Sequence, residues 1–198
     1  FGDCAAWSFC TDKIISTGGE GGMVTTNNKN IWESIWSFKD HGKSFDSVFN
    51  KKHPYGFRWL HEDFGSNFRL TEFQSVIGRI QLKKLDMWNK IRTRNAEILS
   101  RELSNLNLIR IPITPSNITH AWYKYHCYLN ENFLSKDWNR DRIITEINRQ
   151  GYPAFHGSCS EIYLENCFKK FNLTPKSRLP IAKKLGESSL MFLVHPTI

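Results

Sequence analysis

The chain has 198 residues, enough for one large domain or two small ones. With 40% hydrophobic and 14% aromatic residues it can bury a core, and this composition excludes global disorder. The net charge of +8 has three possible explanations: binding of nucleic acid, attraction of a phosphate-bearing small substrate, or basic helices on a solvated surface. No signature of a nucleic-acid-binding module is found in the sequence.

The cysteines and the hydropathy indicate the compartment. The five cysteines form no CxxC pair and fit no zinc-binding spacing, which predicts free thiols in a reducing, cytoplasmic environment: Cys4, Cys10, Cys127, Cys159 and Cys167. No apolar run approaches the ~18 residues of a membrane span. The first residues, FGDCAAWSF, lack the basic and apolar regions of a signal peptide, so we expect none.

Two short strands and a helix are predicted at the start of the chain. Residues 3–10 are small and apolar and then aromatic, which predicts a buried strand with Ser8 and Lys13 at its carboxyl end, where open α/β sheets place ligands. Residues 22–26 predict a second strand. A helix is expected over 30–38, with Asn30 as its N-cap.

Between these strands, Lys13 precedes a glycine-rich segment, TGGEGG. Burial or nearby cations lower the pKa of a lysine amine and make it a nucleophile toward carbonyls. Glycines allow the tight turn that a bound cofactor needs. A lysine beside such a turn is nevertheless more often a solvated side chain, so the residues alone leave both interpretations open.

The middle of the chain predicts a loop and then a long helix. Residues 41–66 are rich in glycine, histidine and aromatics, and irregular stretches of this length are usually functional or disordered. TEFQ, from Thr71 to Gln74, is a capping box, and apolar residues at a spacing of 3.6 extend the helix over 71–103. The other face carries basic residues that we expect to be solvated: Lys83, Lys84, Lys90, Arg92, Arg94 and Arg101.

The last part of the chain reads as a mixture of strands and helices. Strands are predicted over 108–113, 119–129 and 190–194. An amphipathic helix is predicted over 138–150, with Ile143, Ile144 and Ile147 facing inward and Gly151 ending it, and a short helix over 181–188.

The run SFCTDKIISTGGEGGMVTTNN resembles the Schiff-base segment of the DegT/StrS sugar aminotransferases, pyridoxal-phosphate enzymes of the aspartate-aminotransferase fold. That family carries SF, a short linker, the lysine, TGEGG and a hydrophobic strand. The resemblance implies an α/β fold, with Lys13 as the lysine that binds pyridoxal 5'-phosphate and Ser8 as a hydrogen-bond donor to its phosphate. The chain departs from the family by one extra glycine, at 18 or 19, which lengthens the turn.

Further motifs extend the resemblance along the chain. HG at 41–42 and G-x-N-x-R at 65–69 are similar to family motifs, and the long helix matches the family pattern at Gly78, Gln81, Leu82 and Leu85. The resemblance implies that Asn67 reaches the cofactor phosphate of a neighbouring subunit, and hence a homodimer with a shared active site. The alternative is that Asn67 only turns the chain and Arg69 is a surface base.

The resemblance also names candidate substrate contacts: His41, Arg69, Tyr125, His156, Tyr163 and His195. Ser158 and Glu161 lie in the same substrate-facing loop as His156 and Tyr163. Tyr123 and Tyr125 could line the mouth of the active site, but the alternative, that they pack a sheet face, is equally open.

The resemblance covers the C-terminal half of a family member. It implies that residues 1–70 end the cofactor-binding large domain, that 71–103 form a linking helix, and that 104–198 form the small domain without its last helix. We therefore expect a partial sequence that binds the cofactor poorly and is inactive alone.

The implied activity is transfer of an amino group, from glutamate, to a keto group of a nucleotide-linked sugar, with no metal, membrane or nucleic acid involved. Three alternatives stay open. A sugar dehydratase of the same fold would carry histidine in place of the lysine. The others are a non-catalytic relic and a basic nucleic-acid-binding module, whose affinity would fall steeply with salt.

Overall fold

The structure is a computed structural model that describes residues 2–198. The chain divides into two compact units, unit 1 up to Leu85 and unit 2 from Asp86 to Ile198. Both units contain helices and antiparallel strands, which confirms the predicted α/β class. The boundary falls within the segment predicted to be a linking helix, and the division at 70 and 103 stays a prediction. Within residues 2–198, no helix combines the length and hydrophobicity that a membrane crossing requires.

Unit 1 begins with the two predicted strands. Strand β1, Ala5–Ser8, pairs antiparallel with β2, Gly22–Thr25, and Ser8 lies opposite Gly22. The prediction that the first strand is buried is wrong. All residues of β1 and β2 are exposed, and Trp7 is 52% exposed. Two strands alone form a ribbon that cannot cover its own faces.

Two helices follow the strand pair. Helix α1, Lys29–Lys39, has its N-cap at Asn28 rather than at the predicted Asn30. The Asn28 backbone is extended, and its side-chain oxygen accepts hydrogen bonds from the amides of Asn30 and Ile31. The predicted irregular stretch contains a short helix, α2, Phe45–Phe49, whose N-cap is the Ser44 hydroxyl. Five residues are too few for helical periodicity to be visible in the sequence.

The single helix predicted over 71–103 is wrong in one respect. Helix α3, Glu72–Leu82, starts with the predicted capping box, but a turn at 83–84 separates it from α4, Leu85–Leu103. The amide of Lys84 bonds to the carbonyl of Gln81 at 2.9 Å, a three-residue spacing that interrupts the four-residue pattern of an α-helix.

Unit 2 is a four-stranded antiparallel sheet with helices. Its strands lie in the order β3, β4, β6, β5, which are Ile109–Arg110, Tyr125–Leu129, Ser189–Phe192 and Ala154–His156. Its later helices are α5, Arg140–Arg149, α6, Asn166–Lys170, and α7, Pro180–Ser188. All three predicted strands exist but are shorter than expected, and Gly151, at a φ of +86°, follows α5 as predicted.

One face of this sheet forms the core of unit 2. Tyr125, Cys127 and Leu129 alternate along β4 and pack with Ala96 of α4 and Ile144 of α5. Because a strand alternates its side chains, Lys124, His126 and Tyr128 belong to the opposite face. Burial raises the pKa of the Cys127 thiol to about 12, so this cysteine is a packing residue. All five cysteines have free thiols, as predicted.

Arg92 of α4 is buried, so its prediction as a solvated basic residue is wrong. It is 5% exposed, and its guanidinium donates hydrogen bonds of 3.1 Å to the carbonyls of Trp122 and Tyr123. Trp122 has a φ of +49°, a conformation that is uncommon for a bulky residue. Arg92 therefore holds a strained turn, and burial lowers the pKa of its guanidinium.

Candidate active site

Two of the three residues predicted to bind the cofactor are Ser8, the last residue of β1, and Lys13, in the loop between β1 and β2. The Ser8 hydroxyl oxygen accepts a 3.4 Å hydrogen bond from the amide of Cys10, and the carbonyl of Cys10 accepts one of 3.1 Å from the amide of Lys13. Lys13 Nζ lies 3.8 Å from Asp12 Oδ1, and its side chain is 38% exposed. Two successive short turns therefore connect Ser8 to Lys13.

Helix α3 fixes the glycine-rich part of this loop from two sides. The amide of Ser16 donates to Gln81 Oε1 at 2.9 Å, and Gln74 Nε2 donates to the carbonyl of Glu20 at 2.8 Å. Gly18, at a φ of +74°, lies where a Cβ would come within 2.7 Å of the Ile77 side chain. The glycine-rich turn therefore depends on a backbone conformation that favours glycine.

The roles of Gln74 and Gln81 were missed in the sequence. Gln74 was explained by the capping box, and Gln81 was noted only as part of a helix pattern. A signal was available, because Gln81 lies one turn after Gly78, between the apolar residues Ile80 and Leu82. A Cβ on Gly78 would come within 3.1 Å of Thr17, so this part of α3 touches the loop.

Asn67 lies beside the end of α1. It forms an antiparallel bridge with Asp40, and the amide of Phe68 donates to the carbonyl of Lys39 at 2.9 Å. Asn67 Oδ1 accepts a 3.3 Å hydrogen bond from the amide of Arg69, which leaves the side-chain NH₂ as a donor. The carboxamide is therefore oriented by its own chain.

Two of the predicted substrate residues, Arg69 and His41, lie next to the bridge between Asn67 and Asp40. Arg69 donates to the buried carboxylate of Asp40 at 2.9 Å, and Lys43 Nζ lies 3.9 Å from the same oxygen. His41 has a φ of +60°, and its carbonyl accepts a 2.7 Å hydrogen bond from His61. These contacts give Arg69 and His41 a structural task, and their contact with substrate stays a prediction.

The predicted substrate residues of unit 2 lie in different places. Tyr125 is fully buried, and its hydroxyl pairs with Ser100 at 2.9 Å, as the sheet-packing alternative predicts. His156 is exposed at the end of β5, with Nε2 3.3 Å from an oxygen of Asp141. His195 Nδ1 pairs with the Thr197 hydroxyl at 2.8 Å near the end of the chain. The structure does not bring these three together.

Tyr163 belongs to a cluster around Glu161. The Tyr163 hydroxyl donates to the Glu161 carboxylate and accepts from the amide of Leu179 at 2.9 Å. Arg178 donates through Nε to Glu161 at 2.9 Å and through a second nitrogen to the other oxygen, a bidentate pair. These donors lower the pKa of the Glu161 carboxyl from 4.5 to about 2.

This cluster predicts an acid-dependent stability. Because the pKa of Glu161 is lower in the folded chain, its ionised form stabilises unit 2 at pH values above about 4.5, and this contribution is lost as the pH falls from there toward about 2. We expect Glu161→Gln to lower the urea midpoint of unit 2 at pH 7 and to match the wild type near pH 2. The control is Glu146→Gln, whose carboxylate pairs with Arg149 on α5. A stability difference that does not change with pH would contradict this.

Comparison with known proteins identifies the chain. The model of the DegT/DnrJ/EryC1/StrS aminotransferase family matches residues 1–198. The chain belongs to this family.

Individual members of the DegT/DnrJ/EryC1/StrS family resemble the chain closely. It is 50% identical to the aminotransferase from Psychrobacter cryohalolentis, whose X-ray structure matches with a TM-score of 0.94 over 100% of this chain and 52% of that one. It is 36% identical over 198 residues to an uncharacterized protein of Methanocaldococcus jannaschii, covering 98% of this chain and 50% of that protein. It is 30% identical over 159 residues to GDP-perosamine synthase of Caulobacter vibrioides, covering 78% of this chain and 39% of the synthase.

These matches confirm the resemblance seen in the sequence and the fold of the pyridoxal-phosphate-dependent aminotransferases. The chain spans about half the length of the first two of these relatives.

The residues of the β1–β2 loop fit the cofactor of the DegT/DnrJ/EryC1/StrS family. Pyridoxal phosphate presents an aldehyde, which needs a primary amine, and a phosphate, which needs hydrogen-bond donors. Lys13 supplies the amine. Because the Ser8 oxygen accepts from the Cys10 amide, its own hydrogen is available to a phosphate oxygen. The Lys13–Asp12 ion pair is partly exposed and therefore weak.

Proposed function

We propose that this chain carries the cofactor-binding lysine of an aminotransferase that acts on a nucleotide-linked sugar. The observation that carries the proposal is the position of Ser8 at the end of β1 and of Lys13 in the following loop, which Gln74 and Gln81 of α3 hold. Membership of the DegT/DnrJ/EryC1/StrS aminotransferase family supports it.

In this proposal, each side chain has a defined task. Lys13 holds pyridoxal phosphate covalently through Nζ, and the Ser8 hydroxyl and the Asn67 NH₂ donate to the phosphate. The bound cofactor supplies an electron sink that makes amino-group transfer possible. Once the amine of the donor takes its place on the cofactor, the released Lys13 amine would act as general base and acid, removing a proton from Cα of the amino donor and delivering it to the C4′ carbon of the cofactor.

The substrate class follows from charge and from relatives. A nucleotide-linked sugar carries a diphosphate, which a chain with a net charge of +8 attracts. GDP-perosamine synthase is one of the relatives. We further propose that the amino donor is glutamate, that the protein acts in the cytoplasm, and that a homodimer forms in which Asn67 reaches the cofactor phosphate of the neighbouring subunit.

The identity of residue 13 separates this proposal from the dehydratase alternative. A dehydratase of this fold would carry histidine there, whereas this chain carries lysine. The basic residues of α4 also argue against a nucleic-acid stripe, because Arg92 is buried and bonded to backbone carbonyls. A non-catalytic relic would keep the loop but lose selective reaction of Lys13 with the aldehyde.

Chemical trapping tests the proposal directly. The chain is incubated with limiting pyridoxal phosphate, reduced with borohydride and mapped by tandem mass spectrometry. We expect Lys13 to carry more phosphopyridoxyl label than any other lysine, because only there do hydroxyl and carboxamide donors retain the phosphate. Since labelling blocks tryptic cleavage after Lys13, the labelled peptide is 1–29.

Matched variants make the trapping decisive. Lys13→Arg should lose this label, whereas Lys39→Arg, which alters a partly exposed lysine of α1, should keep it. Ser8→Ala should reduce labelling by pyridoxal phosphate several-fold but leave labelling by pyridoxal, which lacks the phosphate, unchanged. Labelling spread evenly over Lys13 and Lys39 would overturn the proposal.

A further inference from the structure

A groove of 800 Å³ lies in unit 2 on the sheet face opposite the core. Strand β4 contributes His126 and Tyr128, which alternate with the buried core residues, and Lys124 precedes them on the same face. Residues of α7 and the segment 157–160 form other walls. This volume is within the range of pockets that bind small molecules, about 300–1,000 Å³.

The charge at the groove is positive. Lys124 lines it beside the rings of His120 and His126, and none of its described lining residues is an aspartate or glutamate. Arg110 lies opposite Tyr128 in the sheet register and stacks on that ring at 4.4 Å, which adds a cation to the same face. Glu161 follows the 157–160 wall in sequence, but Arg178 already binds its carboxylate. The groove is therefore suited to an anion.

The groove also offers hydrogen-bond donors. His120 Nδ1 accepts a 2.8 Å hydrogen bond from the amide of Trp122, so the proton of the neutral ring lies on Nε2. The hydroxyls of Ser158 and Ser160 come from the adjacent wall. Burial, followed by Lys124 and His120, lowers the pKa of His126. The imidazole N–H groups and the hydroxyls can donate to phosphate oxygens beside Lys124.

Another wall of the groove is apolar and exposed to solvent. Leu179 and Ile181 line it and remain 51% and 69% exposed, next to Leu185 of α7. Ile111 and Pro112 line the groove as well. A ligand that joins a flat apolar ring to a dianionic group matches the combination of this wall with Lys124 and His120.

We propose that this groove binds the nucleoside diphosphate portion of the sugar substrate, with the phosphates at Lys124 and His120 and the base against Leu179 and Ile181. The assignment of the ligand as a nucleotide rests on the proposed function. The anionic and apolar requirements rest on the groove alone.

Calorimetric titration of the chain with UDP and GDP tests the proposal, with uridine and inorganic diphosphate as partial ligands. We expect the nucleoside diphosphates to bind at least about tenfold more tightly than either partial ligand, because each part engages only one wall. Inorganic diphosphate binding as tightly as UDP would overturn the role of the apolar wall. Absence of UDP and GDP binding at millimolar concentration would overturn the proposal itself.

Two lysine variants localise the site. Lys124→Met should weaken UDP binding about tenfold, because a charge-assisted hydrogen bond is lost, and Lys124→Arg should retain most of the affinity. Lys169→Met removes the same charge from an exposed position on α6, away from the groove, and should have little effect. Equal effects of the two methionine variants would mean that the net charge of the chain, and not this site, attracts UDP. That result would overturn the site.

The outcome separates this proposal from the proposed function. UDP binding involves neither Lys13 nor pyridoxal phosphate, so selective trapping at Lys13 without UDP or GDP binding would overturn only the groove. Binding that depends on Lys124, together with unselective trapping, would overturn only the cofactor chemistry.

Discussion

Replacing Arg92 by methionine is expected to destabilise unit 2 by about 2–4 kcal/mol. The guanidinium is buried and donates to the carbonyls of Trp122 and Tyr123, and methionine would fill similar space without any donor. Both carbonyls would then lose a hydrogen bond from a charged donor, and a hydrogen bond to a charged group contributes about 1.5–3 kcal/mol. The positive φ of Trp122 would also lose the contact that holds it.

The matched control lies two residues further along α4. Arg94 is exposed and contacts only its neighbour Asn95 among the side-chain hydrogen bonds described for it, so Arg94→Met removes the same charge with a change within about 0.5 kcal/mol. Urea unfolding followed by circular dichroism measures the stability of both variants. Equal stability of the two variants would mean that the turn at Trp122 holds without Arg92.

The difference between Arg92 and Arg94 shows what the sequence can predict. Both residues occupy an apparently basic helix face, and charge alone predicts solvation for both. Arg92 is buried because it satisfies two backbone carbonyls about thirty residues away, a long-range contact that has no signature in local periodicity. The capping box at Thr71 was predictable because the groups that satisfy each other lie three residues apart.

The same distinction applies to the candidate site. Lys13 and Ser8 are predicted from the run that resembles the family's Schiff-base segment, which is short enough to be recognised in the sequence, and their roles stay predictions. Gln74 and Gln81 were missed because their partners, Glu20 and Ser16, are more than fifty residues away. The exposure of β1 could not be predicted either, since an apolar strand reads as buried whether or not a second layer covers it.

Replacing Gly42 by alanine is expected to destabilise the segment that carries Asn67 by about 3 kcal/mol or more. Gly42 has a φ of +77°, and a Cβ would come within 1.7 Å of the carbonyl oxygen of Asp63. The atom that this Cβ would meet is a backbone oxygen, so no side-chain rotation can relieve the clash. The carbonyl of Gly42 also accepts hydrogen bonds from the amides of Glu62 and Asp63, at 2.8 and 3.0 Å, so relief of the clash would break this closure of the loop.

Hydrogen exchange locates the effect. The amides of Ser66 and Phe68 bond to the carbonyls of Phe38 and Lys39, on either side of Asn67, and their protection should fall by about 100-fold or more in Gly42→Ala. Gly56→Ala is the matched control, because Gly56 has a φ of +112° but no atom within 4 Å of its Cβ position, so only a conformational cost of about 1–2 kcal/mol applies.

The comparison of the two alanine variants connects the fold to the proposed chemistry. If the loop closure at Gly42 seats Asn67, Gly42→Ala should also reduce trapping of pyridoxal phosphate at Lys13, while Gly56→Ala should not. Loss of protection at Ser66 and Phe68 with unchanged trapping would show that the orientation of Asn67 does not matter for holding the phosphate. Anchoring would then fall to Ser8, which lies at the end of β1 and not on the segment that Gly42 closes.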